Sequence, residues 1–321
     1  MKWTVLSDNR TCSDQHETTE QREQSRACMS YAESRGRKNE VQTEHGLSIL
    51  LETDRHRILL DTGASDVFLR NAYRMGIDLS TVDYVFISHG HSDHAGGLRH
   101  FLRINERARV IVSPDAVSGK FFSKRRCLHS ITTDWLKEVE ERFILIDHTQ
   151  EVADGIHVFA RIPQTHPLPQ GNQYLFVQNA DGNLVPDDFR HELALYADGL
   201  LFTGCAHSGL ENILAACPYP VRAVVGGFHL LDCHESEEEL TALAQRLLDY
   251  GNSSPSRERS GEGLLFYTSH CTGDHAFAIL KAVMGERLHA FSCGTITIPK
   301  EETAIQLSDK HTISIKKHIK T

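Results

Sequence analysis

The stretch FISHGHSDHAGGL, Phe86 to Leu98, places His89, His91, Asp93 and His94 within six positions directly after the apolar run YVFIS. Such a run bounded by turn residues is a buried strand, so any fold this chain adopts must bring that strand's end to an edge where polar side chains can gather. His89 and His91 are separated by one residue and point the same way in an extended loop, while Asp93 and His94 follow after a turn. Imidazole and carboxylate are donors that suit zinc, iron or manganese, and four of them at one strand end can converge on one or two ions. Gly90, Ser92, Gly96 and Gly97 let the backbone bend tightly around such a centre. A single histidine at a strand end is most simply a partly exposed polar residue; this density after a strand reads as a metal seat.

The rest of the chain supplies matching elements. WTVLSDN, LSILLET and HRILLDTG read as strands, and ASDVFLRNAYRMG has helical spacing that stops at Gly76. A helix is expected from Ala95 towards Leu102. Short apolar runs at ARVIVS, RFILID, GIHVFA, QYLFVQ, HELALYA and GLLFTG look like further strands, interleaved with helical patterns at SGLENILAAC, SEEELTALAQRLLDYG and GDHAFAILKAVMG. This alternation predicts an α/β sandwich with helices outside two sheets. We expect a single domain over 1–321, carrying a polar insertion at about 10–42 and a basic tail at about 300–321.

At 321 residues the chain can bury a sizeable core without disulfides. Its 34 basic and 43 acidic residues give a formal charge of −9, which disfavours binding to a nucleic-acid backbone. The 8 cysteines show no CxxC pair, which fits reduced thiols. The opening residues hold too short an apolar run for a signal peptide, and no stretch is long enough to span a bilayer. The expectation is a cytoplasmic protein with a small-molecule substrate and no membrane or nucleic-acid partner. Oligomeric state is not readable from the sequence.

HxHxDH after an apolar strand, preceded by LLDTG, resembles the metallo-β-lactamase superfamily. TEHGLSILLET, LVPDD, LFTGCAHSGLENIL, VVGGFHL and SHCTG extend the resemblance to a branch of metal-dependent hydrolases related to an archaeal dihydropterin ribofuranosylaminobenzene phosphate synthase. It implies an αββα sandwich, two mixed sheets flanked by helices, with two divalent metal ions at the edge between the sheets. Zinc is the first choice; iron and manganese are the alternatives. Carried over residue by residue, the pattern gives His89 and His91 to the first ion, Asp93 and His94 to the second, and His270 as the last histidine ligand. His207 is a further expected ligand. Where many relatives have an aspartate bridging the ions, this chain has Cys205, a candidate ligand if deprotonated and otherwise a small core residue.

His229, at another strand end, is a candidate ligand, a donor to a ligand, or the acid that serves a leaving group. Asp93 and His229 are the expected catalytic groups. Asp61 reads as an acceptor that orients the histidine loop, and His45 as a residue of the pocket lining. His166, flanked by prolines, reads as an exposed loop residue that could replace a missing histidine ligand. The glycines of GTITIPK and GGF match no phosphate-cradling pattern, so no further cofactor site is expected. Hydrolysis of a small phosphoester or ester by a metal-activated water is the predicted activity. Condensation of a pterin with an arylamine at the same site is the alternative, and a metal-dependent sensor or carrier without turnover is the reading from another class.

Overall fold

The structure, a computed structural model, describes residues 1–10, 41–135, 137–231, 234–253 and 263–297. The polar insertion lies outside the described residues except for residues 10, 41 and 42, and the basic tail lies wholly outside them.

The first sheet runs Ile296–Thr297, Lys2–Ser7, Ser48–Glu52, Arg57–Leu60, Tyr84–Phe86, Arg109–Val112, Phe143–Leu145. Its strands pair antiparallel up to Arg57–Leu60 and parallel from there on. The second sheet runs Leu288–Ala290, Leu265–Thr268, Ala223–Val225, Leu200–Phe202, Ala194–Ala197, Ile156–Phe159, Gln150–Ala153. It is divided in the same way, parallel from Leu288–Ala290 to Leu200–Phe202 and antiparallel beyond. A third, smaller sheet joins Leu184–Pro186, Leu175–Gln178, Phe121–Ser123 and His129–Ser130.

Strand alternation explains the layers. Ile49, Leu51, Ile58, Leu60, Phe86 and Ile111 point at the second sheet and pack with Val158, Leu195, Phe202 and Val225. Phe86 and Phe202 meet edge to face across the gap, centroids 6.0 Å apart. Each fully buried side chain of this kind contributes roughly 1.5–3 kcal/mol. Leu50, Leu59, Val85 and Val110 point the other way, onto Phe68 and Ala72 of helix Val67–Arg74 and Phe101 of helix Leu98–Ile104. On the far side Leu201, Val224 and Phe266 are covered by Ile213, Leu214, Leu240, Leu247 and Leu280 of helices Leu210–Ala216, Glu237–Ser253 and Asp274–Met284. The result is the expected αββα sandwich. Among the described residues no helix is long and apolar enough to cross a membrane.

One element differs from the sequence reading. The helix expected from Ala95 to Leu102 is two pieces, Ser92–Ala95 and Leu98–Ile104, parted at Gly96 and Gly97. A Cβ at Gly97 would stand 2.1 Å from the Thr62 carbonyl oxygen, so the chain breaks where it crosses the turn after Arg57–Leu60.

Both parallel halves end at the same edge of the sandwich. Leaving them in sequence are Asp61, His89, Cys205, His229 and His270, each within a few residues of a strand's last position. Open α/β sheets bind ligands beyond the carboxyl ends of their parallel strands. Asp61, His229 and His270 adopt φ of 55°, 52° and 51°, a left-handed backbone that non-glycine residues hold only where the surroundings impose it.

Candidate metal centre

Asp61 organises the histidine loop. Fully buried, it accepts hydrogen bonds from Ser88 N–H (2.7 Å), Ser88 Oγ–H (2.7 Å) and His94 Nδ1–H (2.6 Å). Because the Ser88 hydrogen is committed to Asp61, Ser88 Oγ is left to accept from His89 Nδ1 at 2.9 Å. A Cβ at Gly90 would collide with the Phe121 ring at 2.3 Å, which fixes glycine between the two histidines.

His89, His91 and His207 form a three-sided seat. Their ring centroids are 4.5, 4.9 and 5.0 Å apart, with interplanar angles of 80°, 76° and 75°. All three residues are buried, and all three Nε2 atoms lack a hydrogen-bond partner. His207 Nδ1 donates to Asn172 Oδ1 at 3.1 Å, and His89 Nδ1 is used by Ser88, so in both rings Nε2 carries the free lone pair. Burial, reinforced by neighbouring imidazoles, holds His89 and His207 well below the usual histidine range and brings His91 down to about 3. Three neutral imidazoles packed ring against ring, each with an unpartnered Nε2, match a divalent cation's donor set.

A second set of donors stands beside the first. His94 Nε2 lies 3.1 Å from both His270 Nε2 and Cys205 Sγ, and Asp93 Oδ2 lies 3.3 Å from His270 Nε2 and 3.6 Å from His94 Nε2. Burial pushes the Asp93 carboxyl up, but His94, His270 and His45 outweigh it and keep the group well below the usual carboxylate range. For His270 the balance is reversed: burial lowers it, while Asp93 and Cys271 bring it up to about 9. Cys205 Sγ also sits within 4.8 Å of ligand nitrogens on His89 and His207. It therefore occupies the boundary between the two sets. Burial pushes its thiol up, and a bound cation would reverse that by taking the thiolate.

The structure thus brings together His89, His91, Asp93, His94, Cys205, His207 and His270. His229 joins them, its ring 4.1 Å from that of His207. His45 is at the rim, stacked on His270 at 5.1 Å with Nε2 3.5 Å from Asp93. His166 is exposed and faces Glu211 at 3.8 Å, away from the cluster.

Several supporting residues carried no sequence signal. His191 Nδ1 accepts from Gly90 N–H at 3.1 Å, so Nε2 holds the hydrogen and donates to Asp187 at 3.1 Å. Glu192 accepts from His207 N–H (2.7 Å) and Ser208 N–H (2.6 Å), and burial raises its carboxyl to about 7. Asp8 accepts from His270 N–H at 3.1 Å and Asn9 Oδ1 lies 3.3 Å from His270 Nδ1, tying the first strand to the last ligand.

The family model of the metallo-beta-lactamase superfamily matches residues 42–185, a span that includes the histidine loop and stops before Cys205. An uncharacterized protein of Methanocaldococcus jannaschii is 29% identical over 248 residues, covering 74% of this chain and 87% of its own length. The 7,8-dihydropterin-6-methyl-4-(beta-D-ribofuranosyl)-aminobenzene-5'-phosphate synthase of the same organism is 26% identical over 276 residues, covering 77% and 88%. A crystal structure described as a metal-dependent hydrolase of the beta-lactamase superfamily superposes with a TM-score of 0.69 at 26% identity, covering 94% of this chain and 100% of that one.

Proposed function

We propose that this chain, whose residues 42–185 match the metallo-beta-lactamase superfamily model, is a metal-dependent hydrolase with a dinuclear centre, acting on a small phosphoester or ester. His89, His91 and His207 hold one ion, and Asp93, His94 and His270 the other, with Cys205 between them. The observation that carries this reading is the gathering of buried imidazole nitrogens without a protein partner, with the His89 and His207 rings oriented by what their other nitrogens touch. Divalent ions held there would supply an activated water, its pKa lowered towards about 7, and would stabilise charge on the scissile oxygen.

The remaining work falls to side chains. Asp93, with 20% of its side chain exposed, is the donor open enough to take a proton from an incoming water. His229 offers a ring nitrogen to a leaving group, since neither nitrogen has a partner. Arg161 and Arg190 line a hollow of about 220 Å³ that reaches Phe189 and Ser208, and Phe189 stacks on His207 at 4.6 Å. Arg161 in that hollow is paired with Asp115 at 2.6 Å and Arg190 stands beside Asp188, so the hollow offers guanidinium donors to a phosphoryl or an ester oxygen alike. A thiolate at Cys205 favours zinc among the divalent ions.

The test is metal analysis of protein purified without added metal, followed by a panel of phosphoesters, thioesters and lactones. About two equivalents of zinc in the histidine seats and turnover of a phosphoester are expected; a protein that takes up no divalent ion even on reconstitution would sink the reading. The similarity to the archaeal synthase supports a second reading, condensation of a dihydropterin with an arylamine phosphate at the same residues. Product formation from that pair, with the ester panel silent, would select it.

A further inference from the structure

Cys205 has neighbours that the histidine seats do not use. Its Sγ, the Sγ of Cys271 and one ring nitrogen of His229 all lie within 4.8 Å of one another, and all three residues are buried. We propose that these three form a sulfur-rich cation seat of their own, taking a soft divalent ion such as zinc and joined to the histidine centre through the Cys205 thiolate. The inference rests on the proposed metal-dependent reading only through this shared sulfur.

Three observations carry it. First, His229 is 5% exposed, and neither Nδ1 nor Nε2 has a hydrogen-bond partner. An unsatisfied buried polar group is destabilising, and a bound cation removes that cost at one of the two nitrogens. The other nitrogen stays available: the Nε2–Cδ2 edge faces Gly171, where a Cβ would approach both atoms to 3.3 Å.

Second, the three donors are held by backbone ties between the loops that follow adjacent parallel strands. Gly227 N–H donates to the Gly204 carbonyl at 2.7 Å, Leu231 N–H to the Cys271 carbonyl at 2.8 Å, and Phe228 N–H to Thr272 Oγ1 at 3.0 Å. Cys271 Sγ lies over Gly227, where a Cβ would come within 2.3 Å. No rearrangement of the chain is needed to assemble the donors, and preorganisation of this kind is what a metal site requires.

Third, the donor chemistry differs from that of the histidine seats. Two thiols and one imidazole suit zinc over magnesium or manganese, which prefer oxygen, and leave a fourth tetrahedral position open. Cys271 Sγ lies 3.8 Å from the Cys205 carbonyl and also meets the Cys205 thiol and the His229 ring, the other two donors of the seat.

Anomalous diffraction at the zinc edge, on crystals of the full chain loaded with zinc chloride, tests the proposal. The expected map has a peak about 2.3 Å from the Cys205 and Cys271 sulfurs and about 2.0–2.1 Å from a His229 nitrogen. Zinc in the His89–His91–His207 seat with none against Cys271 overturns this inference and leaves the proposed function standing. Zinc against Cys271 with the histidine seats empty does the reverse, and no zinc at any of them overturns both. In solution, Cys271→Ala is expected to bind about one equivalent of cobalt(II) less than the parent and to lose the part of the thiolate-to-cobalt absorption that Cys271 contributes, Cys205 remaining as a thiolate of the histidine centre. Unchanged cobalt content and absorption in that variant would also overturn the proposal. If Cys271→Ala does not fold, the zinc-loaded crystals of the unaltered chain decide alone.

Discussion

The two sheets reach the centre by opposite routes. From the first sheet one loop after Tyr84–Phe86 delivers His89, His91, Asp93 and His94 within six positions. From the second, Cys205, His229 and His270 leave three different strands, and 65 residues separate the outermost two. The chemistry at the edge does not record this difference. His91 from the first sheet and His207 from the second present the same buried, partnerless Nε2 to the same space. What differs is the support: one carboxylate, Asp61, holds both Ser88 and His94 of the loop, with Gly90 leaning on His191, whereas His207 is tied to Asn172 and His270 to Asp8 and Asn9.

If both sheets serve one centre, a ligand removed from either must have the same consequence. His91→Ala and His207→Ala are each expected to lose bound metal and to reduce turnover to background. Metal analysis with an activity assay checks this, and a His207→Ala protein that kept full metal and rate would break the equivalence of the two regions.

The difference in support predicts an asymmetry one step further out. Asp61→Asn presents an amide N–H₂ to donors that need an acceptor, three of which converge on that one side chain. Its expected cost is about 3 kcal/mol of stability, as for breaking a buried charged network, with metal affinity falling up to about 100-fold. Urea unfolding and a metal titration measure both. Chelation acts on stability by mass action. With free ion at about 100 times its Kd, stripping should lower stability by about 2.7 kcal/mol for each ion removed. The fold should persist, because its three buried clusters involve none of the proposed histidine ligands. Collapse of the near-ultraviolet circular dichroism on adding chelator would instead make the centre part of the fold's foundation.

The same contrast explains what the sequence made readable. Alternating apolar strands and spaced helices were enough for the αββα sandwich, since each layer is dictated by local periodicity. The first-sheet donors were visible because they are neighbours in the chain. Cys205, His207, His229 and His270 became candidates only through their strand-end positions and a family resemblance. Their supports were invisible: Asn172 meets His207 across 35 residues and Asn9 meets His270 across 261. A polar residue in a loop has no periodicity to betray its partner, and Glu192, ahead of an apolar strand, looks like any strand-end acid. The Gly96–Gly97 break was misread for a related reason, because the backbone it passes, at Thr62, is distant in sequence.

Asn172 gives the sharpest and smallest test of that difference. It sits in the single turn Gln170–Tyr174, which lies across the second-sheet ligands, and it contacts His207 twice: Oδ1 accepts from Nδ1–H at 3.1 Å, and Nδ2–H donates to the His207 carbonyl at 2.8 Å. Alanine at this position removes both contacts without touching a ligand or the core. The His207 backbone keeps its bond to Glu192, so the ring loses its orientation while the residue keeps its place. Metal affinity is expected to fall about tenfold, with stability changed by less than about 1 kcal/mol. Metal titration and urea unfolding on the same preparation separate the two effects. A drop as large as that of Asp61→Asn would mean that the second sheet also depends on a single support; no drop at all would mean that the packing of His207 against Phe189 and His229 already fixes its ring.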